Sequence, residues 1–372
     1  VTELDTLADA EVVVAGHVCL DIIPGWGSAD PDFHKALLPG SLLQIGPATV
    51  SVGGAVSNTG IALHRLGVPV RLIGKVGDDP FGRTILQIIE AADPSLAKGM
   101  IIAPGENTSY TVVINPPNTD RIFLHHSGAN DTFGAADIHP RLLRGARLFH
   151  FGYPPIMRRL YSDGGTELAQ IFRSTRAQGA ATSLDMTHVD RRSEAGKVNW
   201  IEFLRTVLPQ VDLFLPSLDE ILFMLQAEPC NSQCPDAGTL DGIADKLLKM
   251  GCAIVVLKLG ENGLFVKTTE SLERLRSVGG NLVPEPRRWL DRTVIAPNFI
   301  VEVAGTTGAG DCAIAGFLAG LLKGLALDEA ATTAAAAGAC CVEKVDATSG
   351  VPSWDALQKR IRSGWKRRPA IA

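Results

Sequence analysis

The chain has 372 residues, 46% hydrophobic and 20% charged, with a formal net charge of −5. That length allows one large domain or two with an ample core, and the charge excludes a global field favouring nucleic acid. Seven scattered cysteines (Cys19, Cys230, Cys234, Cys252, Cys312, Cys340 and Cys341) lack framework spacing, which fits reduced thiols in a cytoplasm. Cys230 and Cys234 have no second Cys or His pair nearby and do not read as a metal site. The opening VTELDTLADA is acidic and polar, unlike a signal peptide. The most apolar segment, CAIAGFLAGLLKGLAL, is broken by Lys323 before the ~20 residues a membrane span needs. A cytoplasmic protein with no membrane partner is expected. The run KRIRSGWKRRP is locally basic and reads as a solvated helix end and tail.

In chain order, EVVVAGHVCLDII is continuously apolar up to Asp21. Buried parallel strands read this way, with functional groups at their C-terminal ends. Similar runs recur at 70–77, 146–153, 179–186, 211–217 and 252–260. Between them lie segments of helical spacing: SNTGIALHRLG, with Gly67 as a C-cap signal, then GRTILQIIEAA, TELAQIFRSTRAQG, SLDEILFMLQAE and LDGIADKLLKMG. This alternation predicts an α/β fold, a mostly parallel sheet with helices on both faces. Residues 35–54 are strand-like and punctuated by Pro and Gly. Residues 107–128 read as a hairpin, SYTVVI and RIFLHH around a turn at NPPNTD. Together they predict a small antiparallel flap over the C-terminal edge of the large sheet. The expected boundaries are 1–34, 53–104 and 128–372 for the large domain, and 35–52 and 105–127 for the flap. No internal repeat is visible. The Ala-rich EAATTAAAAGACCVEKV predicts a helix of small side chains suited to close packing. Residues 188–205 and 270–298 read as surface elaborations, and VPEPRRWLDRTVIAPNF carries too many prolines for a regular helix.

The stretch VEVAGTTGAGDCAIAGFLAG (301–320) sets a glycine-rich turn between a β-type run and a helix. Gly305 and Gly310 have Walker-loop spacing, but Asp311 stands where the lysine must be. Gly308, Gly310 and Ala313 match GxGxx[GA], yet without room for the second βαβ unit of a dinucleotide fold. The remaining reading is physical. Gly308, Ala309 and Gly310 present amide groups as an anion nest at the positive end of a helix. Asp311, in the first turn, is placed to accept a proton from an alcohol in line for attack. An N-capping aspartate in an ordinary turn is the plainer alternative.

With these motifs in order, the chain resembles the ribokinase-like, or PfkB, carbohydrate kinases from about Val12 to Leu357. GHVCLD resembles the family's first strand, with Asp21 as sugar-binding aspartate. VGGAVSNTGIALHRLG resembles its GGxxxN signature, giving Gly53, Gly54 and Asn58. LIGKVGDDPFG is a further characteristic segment, and the GAGD of 308–311 resembles the anion hole and catalytic base. The resemblance implies a three-layer α/β/α fold with a β lid. It implies ATP-dependent transfer of a γ-phosphoryl group to a sugar-like hydroxyl, with magnesium. It places LKLGENG at the nucleotide site, through Gly260 and Gly263, with Lys258 on phosphate or turned to solvent. Residues 335–338 are expected as a wall near the adenine, and a homodimer through the lid is implied.

Two positions depart from the pattern. The family's NxxE reads PSLDE here, with Ser217 for Asn and Glu220 retained, so Glu220 is expected near magnesium through water. Gly305 replaces a common Asp of a monovalent-cation site, which puts potassium dependence in doubt. The acceptor is left open among sugars, polyols, nucleosides and sugar phosphates. For a phosphorylated acceptor, Lys35, Lys75, Arg121, His125 and His126 are the candidate cations. A non-catalytic sugar- or nucleotide-binding protein on the same scaffold is the alternative.

Overall fold

The computed structural model describes residues 9–25, 39–40, 42–115, 122–226 and 236–371. Its strands are β1 (Val12–Gly16), β2 (Cys19–Gly25), β3 (Gly46–Gly53), β4 (Val70–Ile73), β5 (Lys75–Gly77), β6 (Ile101–Ala103), β7 (Tyr110–Ile114), β8 (Ile122–His126), β9 (Leu148–Gly152), β10 (Ala181–Asp185), β11 (Leu213–Phe214), β12 (Ile254–Lys258), β13 (Leu264–Thr268) and β14 (Thr293–Ala296). The helices are α1 (Ala55–Arg65), α2 (Pro80–Ala92), α3 (Arg158–Tyr161), α4 (Thr166–Arg176), α5 (Trp200–Val207), α6 (Leu218–Met224), α7 (Ala237–Lys249), α8 (Leu272–Arg276), α9 (Ala309–Leu322), α10 (Leu327–Val342) and α11 (Trp354–Arg362).

One sheet of eight strands, in the order β14-β13-β12-β11-β10-β9-β1-β4, forms the centre. It is parallel from β4 to β12, and β13 and β14 add antiparallel strands at one edge. Strand β1 shows why it is buried on both faces. Val12 and Val14 pack into one apolar layer with α1, α9 and α10, while Val13 and Ala15 pack on the other side with Phe149, Phe151 and Phe172. A side-chain period of two, with every residue apolar, requires cover on both faces. After β1 the chain reaches β4 on one side, and β9 later pairs on the other. Open α/β sheets bind ligands at such a switch point, beyond the strands' C-terminal ends. Gly16, Gly152 and Asp185 all end strands there.

A second sheet, ordered β3-β2-β7-β8, stands at that end. The β7–β8 hairpin is antiparallel as expected, Tyr110 opposite His126 and Ile114 opposite Ile122, but β2 pairs with β7 in parallel, so the small sheet is mixed and not purely antiparallel. The reading of 11–23 as one strand is corrected. The central strand stops at Gly16 and a new one starts at Cys19. Residues 19–25, expected in the large domain, are therefore a strand of the small sheet, and Asp21 rides on it. Apolar residues flank the junction closely on both sides, with only Gly16 and His17 between them, so periodicity gave little sign of the break.

Two other expectations change. Residues 270–298 contain β14, an edge strand of the central sheet, with Trp289 buried beside it. Within 188–205, Val189, Ala195, Trp200 and Phe203 are core residues. The five cysteines among the described residues are free and buried; Cys230 and Cys234 lie outside them. Among the described residues no helix is long and apolar enough to cross a membrane.

The small-residue helix α10 packs against α9, as its composition predicts. A Cβ on Gly316 of α9 would lie 2.8 Å from the Ala337 Cβ and from the Thr333 carbonyl oxygen of α10. Gly316→Val must push these helices apart, at a cost of about 1–3 kcal/mol. Scanning calorimetry should show a lowered melting temperature. An unchanged one would mean the contact is not tight.

Candidate active site

The helix start that carries GAGD is built by one residue only glycine can be. Gly308 adopts φ 75°, and a Cβ there would lie 2.6 Å from Ala347. The left-handed turn ends the preceding loop and opens α9, leaving first-turn N–H groups without intrahelical partners. Ala309 N–H bends back to the Thr306 carbonyl at 3.4 Å. That partly spends one of the three expected nest amides.

Asp311 is buried, 2% exposed, one turn into this helix. Its Oδ2 accepts from Asn58 Nδ2 at 2.9 Å and from the Tyr153 hydroxyl at 2.8 Å; its Oδ1 takes only the longer Thr59 contact, 3.3 Å. Burial pushes its carboxyl above the usual range, against the pull of Lys258 and of the Asn58, Tyr153 and Thr59 donors. Burial, then the charge of Asp311, pushes the Tyr153 phenol well up, so it stays a donor. Tyr153 follows β9 with φ 69°, a backbone conformation rare for a residue with a side chain.

Lys258 ends β12 beside the same turn: a Cβ on Gly310 would come within 3.6 Å of its Nζ. The ammonium pairs with Asp185 Oδ1 at 2.6 Å. Burial works against that charge, but Asp185, Glu220 and Asp311 outweigh it and hold Lys258 above its ordinary value. Of the two alternatives for Lys258, solvent is therefore removed. Asp185 Oδ2 is buried with no partner.

A cavity of about 400 Å³ opens from this point. Tyr153, Lys258 and the 308–311 turn line it, together with Ser217, Glu220, Gly260 and Gly263. Ala335 and Gly338 of α10 form part of its wall, as expected. Ser217 and Glu220 bind each other: Ser217 N–H donates to Glu220 Oε2 at 2.7 Å, and Ser217 caps the start of α6. Among the described residues no three His, Cys, Asp or Glu side chains converge as a metal cage. Gly305 has no side chain to offer, and a Cβ there would lie 3.0 Å from the Val345 carbonyl oxygen.

The other predicted residues do not line this cavity; Asn58 is the one bonded to Asp311. Asp21 sits against the turn into α1, where a Cβ on Gly53 would be 2.1 Å from its Oδ2. Burial pushes Asp21 up to about 6, against hydrogen bonds from Cys19 and Thr111. Gly54 lies against His17, and the Asn58 Oδ1 and His17 Nδ1 atoms are buried without partners. Asn58 joins this group to the cavity through its bond to Asp311. Of the cations named for a phosphorylated acceptor, Lys75 is held by Glu106 at 3.3 Å and Thr132 at 2.8 Å. His125 is pushed down to about 4 by burial. Lys35 and Arg121 lie outside the described residues.

Three residues were missed. Asp185 ends a buried apolar run, the same signal that marked Asp21. Tyr153 follows another such run, and His17 lies inside the quoted GHVCLD.

With this geometry in view, comparison with known proteins is decisive. The family model for pfkB carbohydrate kinases matches residues 10–354. The chain belongs to the pfkB carbohydrate kinase family. It is therefore a phosphotransferase with an alcohol group as acceptor. An uncharacterized sugar kinase of Archaeoglobus fulgidus is 26% identical over 78% of this chain and 98% of its own. The 2-dehydro-3-deoxygluconokinase of Bacillus subtilis is 24% identical over 86% of this chain and 87% of its own. The structure of Arabidopsis thaliana ribokinase complexed with ribose and ATP superposes with a TM-score of 0.70 at 18% identity, covering 95% of this chain and 99% of the other. The kinase thus has the ribokinase-like fold.

Asp185 is the nearest partner of the buried Lys258 ammonium; removing one partner of a buried pair typically costs about 3–5 kcal/mol, and Glu220 and Asp311, which stay near the charge, reduce that here. Asp185→Asn should lower the melting temperature by several degrees in scanning calorimetry. A variant that melts with the wild type would show that the pair is not a charged anchor.

Proposed function

We propose that the kinase transfers the γ-phosphoryl group of ATP to a hydroxyl of a sugar or sugar-like acceptor, with Asp311 as general base and the first-turn amides of α9 as anion hole. The observation that carries this reading is the position of Asp311. On one side Asp311 lines the cavity walled by backbone turns and small residues; on the other its carboxylate accepts from Asn58, on the helix whose entry turn, Gly53 and Gly54, packs against Asp21 and His17. A nucleotide fits the first side and a polyol the second.

On the nucleotide side, the Gly308–Gly310 turn and the Lys258 ammonium stabilise charge developing on the transferred group. Ser217, Gly260 and Gly263 shape the walls. The unpartnered Asp185 Oδ2 and the Glu220 carboxylate suit a divalent cation carried in with phosphates, because magnesium keeps most of its waters and needs only one or two carboxylates. Magnesium, when bound, neutralises phosphate charge. On the acceptor side, ionised Asp21 accepts from sugar hydroxyls, and the unpartnered Asn58 Oδ1 accepts from another while its amide holds Asp311. Asp311 takes the proton of the attacking hydroxyl. The lid sheet excludes water from the transfer.

Asp311→Asn should reduce kcat by about 10²–10⁴-fold, the usual contribution of a positioned base, while ATP binding persists. ADP release with a panel of ketoses, aldoses, keto-deoxy sugar acids and nucleosides measures it, and undiminished turnover by the variant would refute the general-base role. Asp21 provides a pH test. Its folded pKa lies above the ordinary value because burial penalises the charged form, so the carboxylate appears only as pH rises through about 6. KM for the acceptor should fall between pH 5 and 7, and Asp21→Asn should raise KM and flatten its pH dependence. A wild-type KM that stays level over that range would remove Asp21 from the acceptor site.

A further inference from the structure

The basic run expected to be a solvated tail is docked, and it docks at the cavity. Residues 355–371 lie beyond the stretch that the family model matches. After α11 the chain turns back as a strap along 297–300. Ile300 N–H donates to the Lys366 carbonyl at 2.9 Å, and Arg368 N–H donates to the Asn298 carbonyl at 2.8 Å. The Trp365 ring stacks on Phe299 with centroids 4.2 Å apart, and its Nε1 donates to the Ile300 carbonyl at 3.1 Å. On α11, Arg360 lies 3.7 Å over the same indole, clamped by two bonds to Glu343 of 2.6 and 2.7 Å. Aromatic stacking and a bidentate ion pair thus fix a segment that charge alone would leave in water.

Asn298, Phe299 and Arg368 line the same cavity as the GAGD turn. Arg368 pairs with Glu261 at 3.0 Å, on the turn that follows Lys258, and both partners are largely exposed. Such a pair adds little stability. Among the described lining residues the Lys and Arg side chains are Lys258 and Arg368. Lys258 is committed to Asp185, whereas Arg368 has a weakly held partner it can exchange for an incoming anion.

We propose that Arg368 is a nucleotide-binding residue supplied by the strap, its guanidinium moving from Glu261 to the bound nucleoside triphosphate. This rests on the reading that the cavity holds the nucleotide. The test is calorimetric titration of the full chain with ATP and magnesium. Arg368→Ala should raise the Kd for ATP roughly fivefold, the scale of a half-exposed charge contact, and KM for ATP should rise with it at unchanged kcat. Arg368→Lys should recover part of the loss. Glu261→Ala, which frees the guanidinium, should leave the Kd unchanged or lower it. Two results overturn the proposal while leaving the nucleotide site intact: an unaltered Kd in Arg368→Ala, or equal weakening in Glu261→Ala, which would make the pair a staple for the strap. A wild-type chain that binds no ATP overturns the cavity's assignment itself, and Arg368's role with it.

Discussion

A carboxylate taken out of water is unstable unless donors and a counter-charge surround it, and the placement of Asp311 meets that demand from several directions. Asn58 and Thr59 reach it from α1, Tyr153 from the end of β9, and Lys258 stands nearby at the end of β12. Each donor is worth about 1.5–3 kcal/mol when it serves a charge. The requirement therefore ties the start of α9 to α1 and to the mouth of the central sheet. Gly308 and the small residues of α10 follow from it, since the helix must lie close enough for the carboxylate to reach those partners.

The electrostatics of the mouth follow the same logic. Asp185, Glu220 and Asp311 crowd one region, and a single ammonium, Lys258, sits among them. The surplus of negative charge would be costly in a closed core. A divalent cation carried in with phosphates, as proposed for this cavity, would bring the missing positive charge. The unpartnered Asp185 oxygen is consistent with this.

Local chemistry made part of this arrangement legible. Gly308 could be read from sequence because a glycine-rich turn at a helix start offers amides to an anion, and Asp311 because a carboxylate after an amide nest has few uses. The mostly parallel sheet was legible from apolar runs separated by helical spacing. The break at His17–Val18 was not, since both sides of it are apolar. Nor was the pairing of Lys258 with Asp185, which are distant in sequence and meet only because β10 and β12 flank β11 and end at the same edge of the sheet. The strap was legible only in part: most of its basic side chains are exposed as expected, but its docking was hidden for a similar reason. Its arginines suggested solvent, but what anchors it is Trp365 on Phe299, a contact that no local pattern reveals.

The two-residue joint between β1 and β2 has a mechanical consequence. The strand that carries Asp21 belongs to the small sheet, while its neighbour β3 runs through Gly53 and Gly54 straight into α1. Any swing of that sheet must be taken up where the chain crosses into or out of it: at His17–Val18, at Gly53–Gly54, in the link before β7 and in the link after β8. The first two lie beside the residues proposed to grip the acceptor, so in that reading closing the cover and shaping the grip are one movement, and neither can be retuned without disturbing the other.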